Sequence, residues 1–231
     1  MPTLKIVPGS VIKRQVETLA PTVTHVRLSG EGYALGRSHG TLLRSSIQEV
    51  VRTLHQQVLR GNTAGRDVAL VKAWQLDAHI PARYRLELRG VADGAGVDYA
   101  DVLLINAYDD LIHLLGCSSA IVLPEGGEPL RHGRNLDYPI AALAKFKVVF
   151  DIKTRGVTLR TIGFPGYIGV LTGMNSRGLS LSSHTSAVKR NGVGVPSGVL
   201  YRQVLEESED LDGMVAALRA APRTIGNNLA L

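Results

Sequence analysis

Cys117 is the only cysteine in a chain of 231 residues, so it has no partner for an internal disulfide. A solitary cysteine is either an inert small core residue or a reactive thiol. The stretch around it, Gly116 to Pro139 (GCSSAIVLPEGGEPLRHGRNLDYP), bears on that choice. Two short apolar segments, Ala120 to Leu123 and Leu130 to Leu136, flank a Pro-Glu-Gly-Gly turn, the pattern of a β-hairpin. The second segment carries Arg134 and Asp137, and a hairpin would return both charges towards the cysteine that begins it. A nucleophilic thiol needs a base to make the thiolate and donors to hold the developing oxyanion.

Seven histidines could supply that base: His25, His39, His55, His79, His113, His132 and His184. None forms a recognisable motif with Cys117. No HExxH or paired-ligand spacing occurs, which argues against a metal site, and nothing in the sequence calls for a cofactor. The other route to a base is an exposed α-amino group. Its reference pKa, about 7.7 to 8.0, lies near neutrality, so a cysteine at a chain's N-terminus carries its own base. Gly116 fits this route, because glycine leaves its carbonyl open to the neighbouring thiol and tolerates the strained backbone that an attack there requires.

The elements that must position these groups follow from periodicity. Residues 22–29 (TVTHVRLS) alternate as a strand. From Ala34 apolar residues recur at three and four, which predicts one amphipathic helix ending near Gly61. Helices are also expected over Val68 to Ile80 and Tyr84 to Val91, the latter running into ADGAGV, read as a turn. Asp98 is expected to cap a long helix, with Asp101 in the capping-box position. After Gly116 the pattern changes to short strands: Phe146 to Lys153, Val157 to Ile162, Ile168 to Thr172 and Gly178 to His184, an antiparallel meander. Helices return at Ser197 to Glu207 and Leu211 to Ala220, and the closing TIGNNLAL reads as the start of a strand without its partner, as in a truncated chain. Segregation of helices from strands predicts an α+β fold, with Cys117 at the junction.

Composition excludes several classes. No run reaches the 18 or so apolar residues of a membrane span, and Lys5, Pro8, Lys13 and Arg14 interrupt the N-terminus before a signal-type segment could form. A cytoplasmic location is expected, and the single cysteine agrees with it. The formal charge of +6 comes from scattered basic residues, and aromatics are only 5%, so nucleic acid is not an expected partner.

Gly116-Cys117-Ser118-Ser119, His132-Gly133-Arg134-Asn135-Leu136-Asp137-Tyr138-Pro139 and Thr172-Gly173-Met174-Asn175-Ser176-Arg177-Gly178 together resemble the cysteine branch of the N-terminal nucleophile (Ntn) hydrolases. Within it the sequence looks most like the acyl-coenzyme A:6-aminopenicillanic acid acyltransferase group, peptidase family C45. Upstream, Gly32 to Gly40, Glu87 to Val97 and Val102 to Ala107 resemble that family's α-chain. The resemblance implies a four-layer αββα sandwich, here C-terminally incomplete. It implies self-cleavage between Gly116 and Cys117, leaving residues 1–116 and 117–231 as two associated fragments of one domain. The new N-terminal thiol would attack an acyl amide, and the acyl-enzyme would pass to water or to an amine acceptor; acyl-coenzyme A is a further candidate donor. By the same resemblance Arg134, 17 residues after the cysteine, favours the thiolate, and Asp137, 20 residues after it, holds the α-amine. Asn175 matches the oxyanion-side asparagine of the related bile-salt hydrolases, and Asn228, preferred to Asn227, is the second amide donor.

Two other readings stand beside this one. The first is an N-acylethanolamine or bile-salt type amide hydrolase of the same clan. The second is a non-catalytic binding module with Cys117 buried and inert.

Overall fold

In a computed structural model the described residues are 23–58, 63–111, 116–137, 145–186 and 192–231. Strand β1 (Thr24–Ser29) opens the chain and buries Val26 and Leu28 on one face only. The helix expected from Ala34 onward is two helices, α1 (Gly32–Leu42) and α2 (Arg44–Thr53), broken at Leu43 and continued by a π-helical turn at Leu54–Val58. The break re-aims the apolar stripe. Leu35 and His39 of α1 and Ile47 and Val50 of α2 all reach the core, while Leu42 is left exposed at the corner.

Helices α3 (Thr63–Asp77), α4 (Ala82–Ala95) and α5 (Tyr99–Leu111) follow. The ADGA piece read as a turn is helical and closes α4; only Gly96, at φ +68°, reverses the chain. Packing explains the glycines. A Cβ on Gly36 would stand 1.9 Å from the Glu87 carbonyl oxygen, and one on Gly90 2.2 Å from the Tyr33 carbonyl oxygen, so α1 and α4 meet backbone to backbone. Asp101 does not serve as a capping-box side chain: its carboxylate binds His55 Nε2 at 2.8 Å.

After Gly116 the chain forms the expected hairpin, β2 (Gly116–Val122) against β3 (Arg131–Asp137), turned through Gly126 and Gly127 at φ +57° and +88°. Strands β4 (Val148–Thr154), β5 (Val157–Gly163), β6 (Thr172–Asn175) and β7 (Ser180–Thr185) form the antiparallel meander. Helices α6 (Ser197–Glu207) and α7 (Leu211–Ala220) come next, the latter capped by Asp210 accepting from Gly213 N–H at 2.8 Å. Strand β8 (Asn227–Ala230) pairs antiparallel with β7, so the closing strand has its partner within the chain. The resulting six-stranded sheet runs β1-β4-β5-β6-β7-β8, with β1 parallel to β4.

One expected strand is a loop. Ile168 to Leu171 are buried, but their backbone bonds to helices: Ile168 N–H donates to Asn106 Oδ1 and Val170 N–H to the Gly198 carbonyl, both at 2.8 Å. Those donors are spent before a strand could claim them, and pairing starts at Thr172.

The α+β organisation therefore stands. Phe150, Ile152 and Leu159 face the helices, with the His39 ring 5.0 Å from that of Phe150. Val149, Asp151, Arg160 and Ile162 point to the other face, where the hairpin lies against β7. A buried ionic group ties the helices together. Arg202 donates to Glu87 of α4 and to Glu206 of its own helix, both at 2.7 Å, and to the Ile168 carbonyl at 2.9 Å.

Candidate active site

The loop before β6 is the first positioning device. Asn106 Nδ2 donates to the Gly166 carbonyl at 2.8 Å, and the Gly166 N–H donates to His39 Nε2 at 3.1 Å. An accepting Nε2 requires a neutral imidazole, and burial, followed by the Arg202 charge, pushes His39 down to about 3. These contacts deliver Thr172 to the start of β6, with its side chain on the hairpin side of the sheet.

The hairpin is the second device. Cys117 stands opposite Leu136 in the β2–β3 register, and Ser119 opposite Arg134. Alternation therefore puts the side chains of Cys117 and Arg134 on one face. Arg134 Nη2 donates to Cys117 Sγ at 3.2 Å and to the Ser183 carbonyl, and Nη1 donates to Thr172 Oγ1 at 2.7 Å. The guanidinium thus bridges the hairpin to β6 and β7, with the sulfur on Nη2. Burial pushes the Arg134 pKa down while the neighbouring sulfur pulls it back, and the cation lies next to the one atom here able to carry negative charge as a nucleophile. Cys117 itself is half-buried.

Asp137 is exposed on the outward face of β3, directly opposite Gly116, where its Oδ1 accepts from Asn135 Nδ2 at 2.7 Å. It stands beside the Gly116–Cys117 peptide bond rather than beside the sulfur.

The two asparagines are placed differently. Asn175 lies three residues after Thr172 on β6, so its side chain points to the helix face, away from the hairpin. Its amide is fully engaged there: Nδ2 donates to the Leu205 carbonyl at 2.8 Å, and Oδ1 accepts from Arg177 N–H and Leu179 N–H, both at 3.0 Å. The structure brings Cys117 and Arg134 together and does not bring Asn175 to them. Asn228 stands opposite His184 on the hairpin side of the sheet, exposed, with its carbonyl 3.3 Å from His184 Nδ1. Asn227 donates to Tyr201 OH at 2.6 Å and serves the core.

Three contributors are given no place at the site by the sequence reading. Thr172 and the Ser183 carbonyl hold Arg134, and only strand pairing reveals them. His132, two residues before Arg134 on the same face, has ring nitrogens 3.2 Å from Ser180 Oγ and 2.9 Å from Ser182 Oγ. Burial, then the charges of His184 and Arg134, lower its pKa. A cavity of about 230 Å³ opens beside these groups, lined by His132, Val149, Ile162, Thr172, Met174 and Leu181 among others. Its mainly apolar wall suits an acyl group. Among the described residues no group of three or more His, Cys, Asp or Glu could hold a metal ion, and no helix is long and apolar enough to cross a membrane.

Residues 124–231 match the family described as acyl-coenzyme A:6-aminopenicillanic acid acyl-transferase. The chain is 30% identical over 199 residues to an N-acylethanolamine-hydrolyzing acid amidase from Oryctolagus cuniculus, covering 78% of this chain and 53% of that protein. It is 30% identical over 118 residues to an acid ceramidase from Rattus norvegicus, 45% of this chain and 29% of that one. An uncharacterized protein of Archaeoglobus fulgidus aligns over 87% of this chain and 39% of its own length at 23% identity. The chain spans about half the length, or less, of the curated relatives it matches. The matched family segment contains Arg134, Asp137, Asn175 and Asn228, and the resemblance to this family read from the motifs is borne out by that match over residues 124–231.

Proposed function

We propose that this chain is a self-processing Ntn amidohydrolase with Cys117 as its nucleophile. The carrying observation is the 3.2 Å contact from Arg134 Nη2 to Cys117 Sγ, made by a guanidinium that Thr172 and Ser183 hold in place. In the intact chain Sγ attacks the Gly116 carbonyl carbon. The C–N bond breaks as the Cys117 nitrogen takes a proton, and water cleaves the thioester to leave a Gly116 carboxylate and a Cys117 α-amine. Asp137, opposite Gly116, then stands where it can accept a hydrogen bond from that new ammonium.

In the mature enzyme the α-amine takes the thiol proton as Sγ attacks a substrate amide, and returns it to the departing amine. The acyl-thioester passes to water, or to an amine where one is supplied. Asn228, on the hairpin side of the sheet, is the proposed amide donor to the oxyanion; Asn175 is assigned to the turn that ends β6. The apolar cavity lined by His132 and by Thr172, which holds Arg134, and the kinship to N-acylethanolamine-hydrolyzing amidases favour an apolar acyl amide as substrate and hydrolysis as the main outcome.

Intact mass spectrometry tests the first step. The wild-type chain is expected to yield fragments of 116 and 115 residues, while Cys117→Ala stays whole. An unbroken wild-type chain after prolonged incubation would sink the proposal. Adding a primary amine to a hydrolysis assay, and measuring the ratio of free acid to new amide, then separates hydrolysis from transfer.

A further inference from the structure

Self-cleavage needs a base that turnover does not. An α-amine can take the thiol proton only once Cys117 is an N-terminus; in the intact chain its nitrogen is a peptide amide without a basic lone pair. Another group must take that proton and then give one to the departing nitrogen. Asp137 faces the wrong way, on the outward side of β3 and engaged by Asn135 Nδ2.

Most described histidines are committed elsewhere. His39 Nε2 accepts from Gly166 N–H in the core, His55 Nε2 lies 2.8 Å from Asp101 Oδ1, and His25 Nε2 lies 2.8 Å from Asp151 Oδ2. His79 is exposed beyond the end of α3, and His113 lies outside the described residues. His132 has both ring nitrogens against serine hydroxyls, and it stands opposite Ile121, four residues along β2 from Cys117, or roughly 13 Å.

His184 is placed differently. It follows Ser183, whose carbonyl accepts from Arg134 Nη2, the nitrogen that also donates to Cys117 Sγ. Two acceptors on one nitrogen lie within roughly 6 Å of each other, so the sulfur stands beside the Ser183–His184 peptide. Strand parity puts the His184 side chain on the hairpin face of β7, with Ser180 and Ser182. Its Nδ1 is 3.3 Å from the Asn228 carbonyl oxygen; a carbonyl only accepts, so this contact assigns the neutral ring's proton to Nδ1 and its lone pair to Nε2. That Nε2 is buried and has no hydrogen-bond partner among the described residues. Arg134 Nε is buried without a partner as well, but a guanidinium N–H can only donate. Of the two, only His184 can receive a proton.

Resting on the self-processing reading, we propose that His184 is the base of maturation. Its Nε2 takes the Cys117 thiol proton, directly or through one water, as Sγ bonds to the Gly116 carbonyl carbon. The C–N bond then breaks with its electron pair passing to nitrogen, and the imidazolium gives its proton to that nitrogen, which becomes the new α-amine. The ring ends neutral, and the α-amine serves every later turnover.

The test follows conversion of full-length chain into its 116- and 115-residue fragments by intact mass spectrometry after cell-free synthesis, in wild type, His184→Ala and His184→Gln. Both variants are expected to melt as wild type does and to cleave more slowly by on the order of a hundredfold, the share of a positioned base. Added imidazole should speed the alanine variant, where the missing ring leaves room, and should change neither wild type nor the glutamine variant. A side chain needed only for packing would not answer to imidazole. Variants that cleave at the wild-type rate overturn the proposal, as does a slow, normally melting alanine variant that imidazole leaves unchanged. Where the alanine variant does not fold, the rate of the glutamine variant decides. Wild-type chain that stays whole sinks the self-processing reading itself, whereas wild type that cleaves no faster than the variants sinks only the role of His184.

Discussion

Cys117 and Arg134 show what a single contact supplies and how much holds it. Arginine satisfies the sulfur, Thr172 and the Ser183 carbonyl at once because its donors sit in a rigid planar fork. Lysine keeps the charge but not the fork, and glutamine loses the charge. Alkylation of Cys117 by iodoacetamide at pH 7 is expected to slow in the order wild type, Arg134→Lys, Arg134→Gln. The glutamine variant should fall on the order of tenfold to a hundredfold, the size of a lost charge-assisted hydrogen bond. Equal rates in all three would show that the guanidinium does not support the thiolate. The cysteine, Arg134 and Asp137 were legible from the sequence because a hairpin has one register once its turn is set. Asn175 illustrates the opposite case. The Thr-Gly-Met-Asn motif names the residue, but strand parity sends it to the helix face, and parity depends on where pairing begins.

At the scale of elements, the α1–α4 contact anchors the helical layer. Gly36, Gly40, Gly90 and Gly94 each place a hypothetical Cβ within 2.5 Å of a backbone oxygen of the facing helix, and a backbone cannot rotate aside as a long side chain can. Gly90→Ala is therefore expected to destabilise the fold by on the order of 3 kcal/mol or more. The matched control is Gly133→Ala in the hairpin, where a Cβ would meet only the Ala120 carbonyl oxygen at 3.9 Å, and a change within about 0.5 kcal/mol is expected. Urea midpoints for the two variants check the contrast. Sequence periodicity found these helices but read Gly94, within ADGAGV, as part of a turn, because close packing and a turn call for the same residue. The break at Leu43 escaped for a related reason: apolar residues at three and four spacing continue across it, and only the core they must reach distinguishes one helix from two.

At the scale of the molecule, buried titratable groups couple stability to pH. Burial pushes Asp110 up to about 7, against hydrogen bonds from Thr224 and Ser197 that pull it down. The folded state therefore binds a proton there that the unfolded state releases above about 4, so this group's contribution to stability falls as pH rises from about 4 to 7. His39, held down to about 3, acts in the opposite sense: its contribution is lost as pH falls below the ordinary imidazole range. The difference in unfolding free energy between wild type and Asp110→Asn isolates the first effect. It should shift against wild type by up to on the order of 3 to 4 kcal/mol between pH 4 and pH 8, and level off above pH 7. A difference constant across that range would show that burial does not raise the Asp110 pKa above its unfolded value.

By itself the sequence determined which groups could do chemistry, the hairpin that carries them, the α+β segregation and the family resemblance. These are matters of local spacing and turn chemistry, where each residue's neighbours lie within a few positions along the chain. Tertiary structure alone decided that Thr172 and Ser183 hold the guanidinium, that Asn175 serves a turn and that β8 closes on β7. Each of those depends on register between distant strands, and register is set by which backbone donors the helices have already taken.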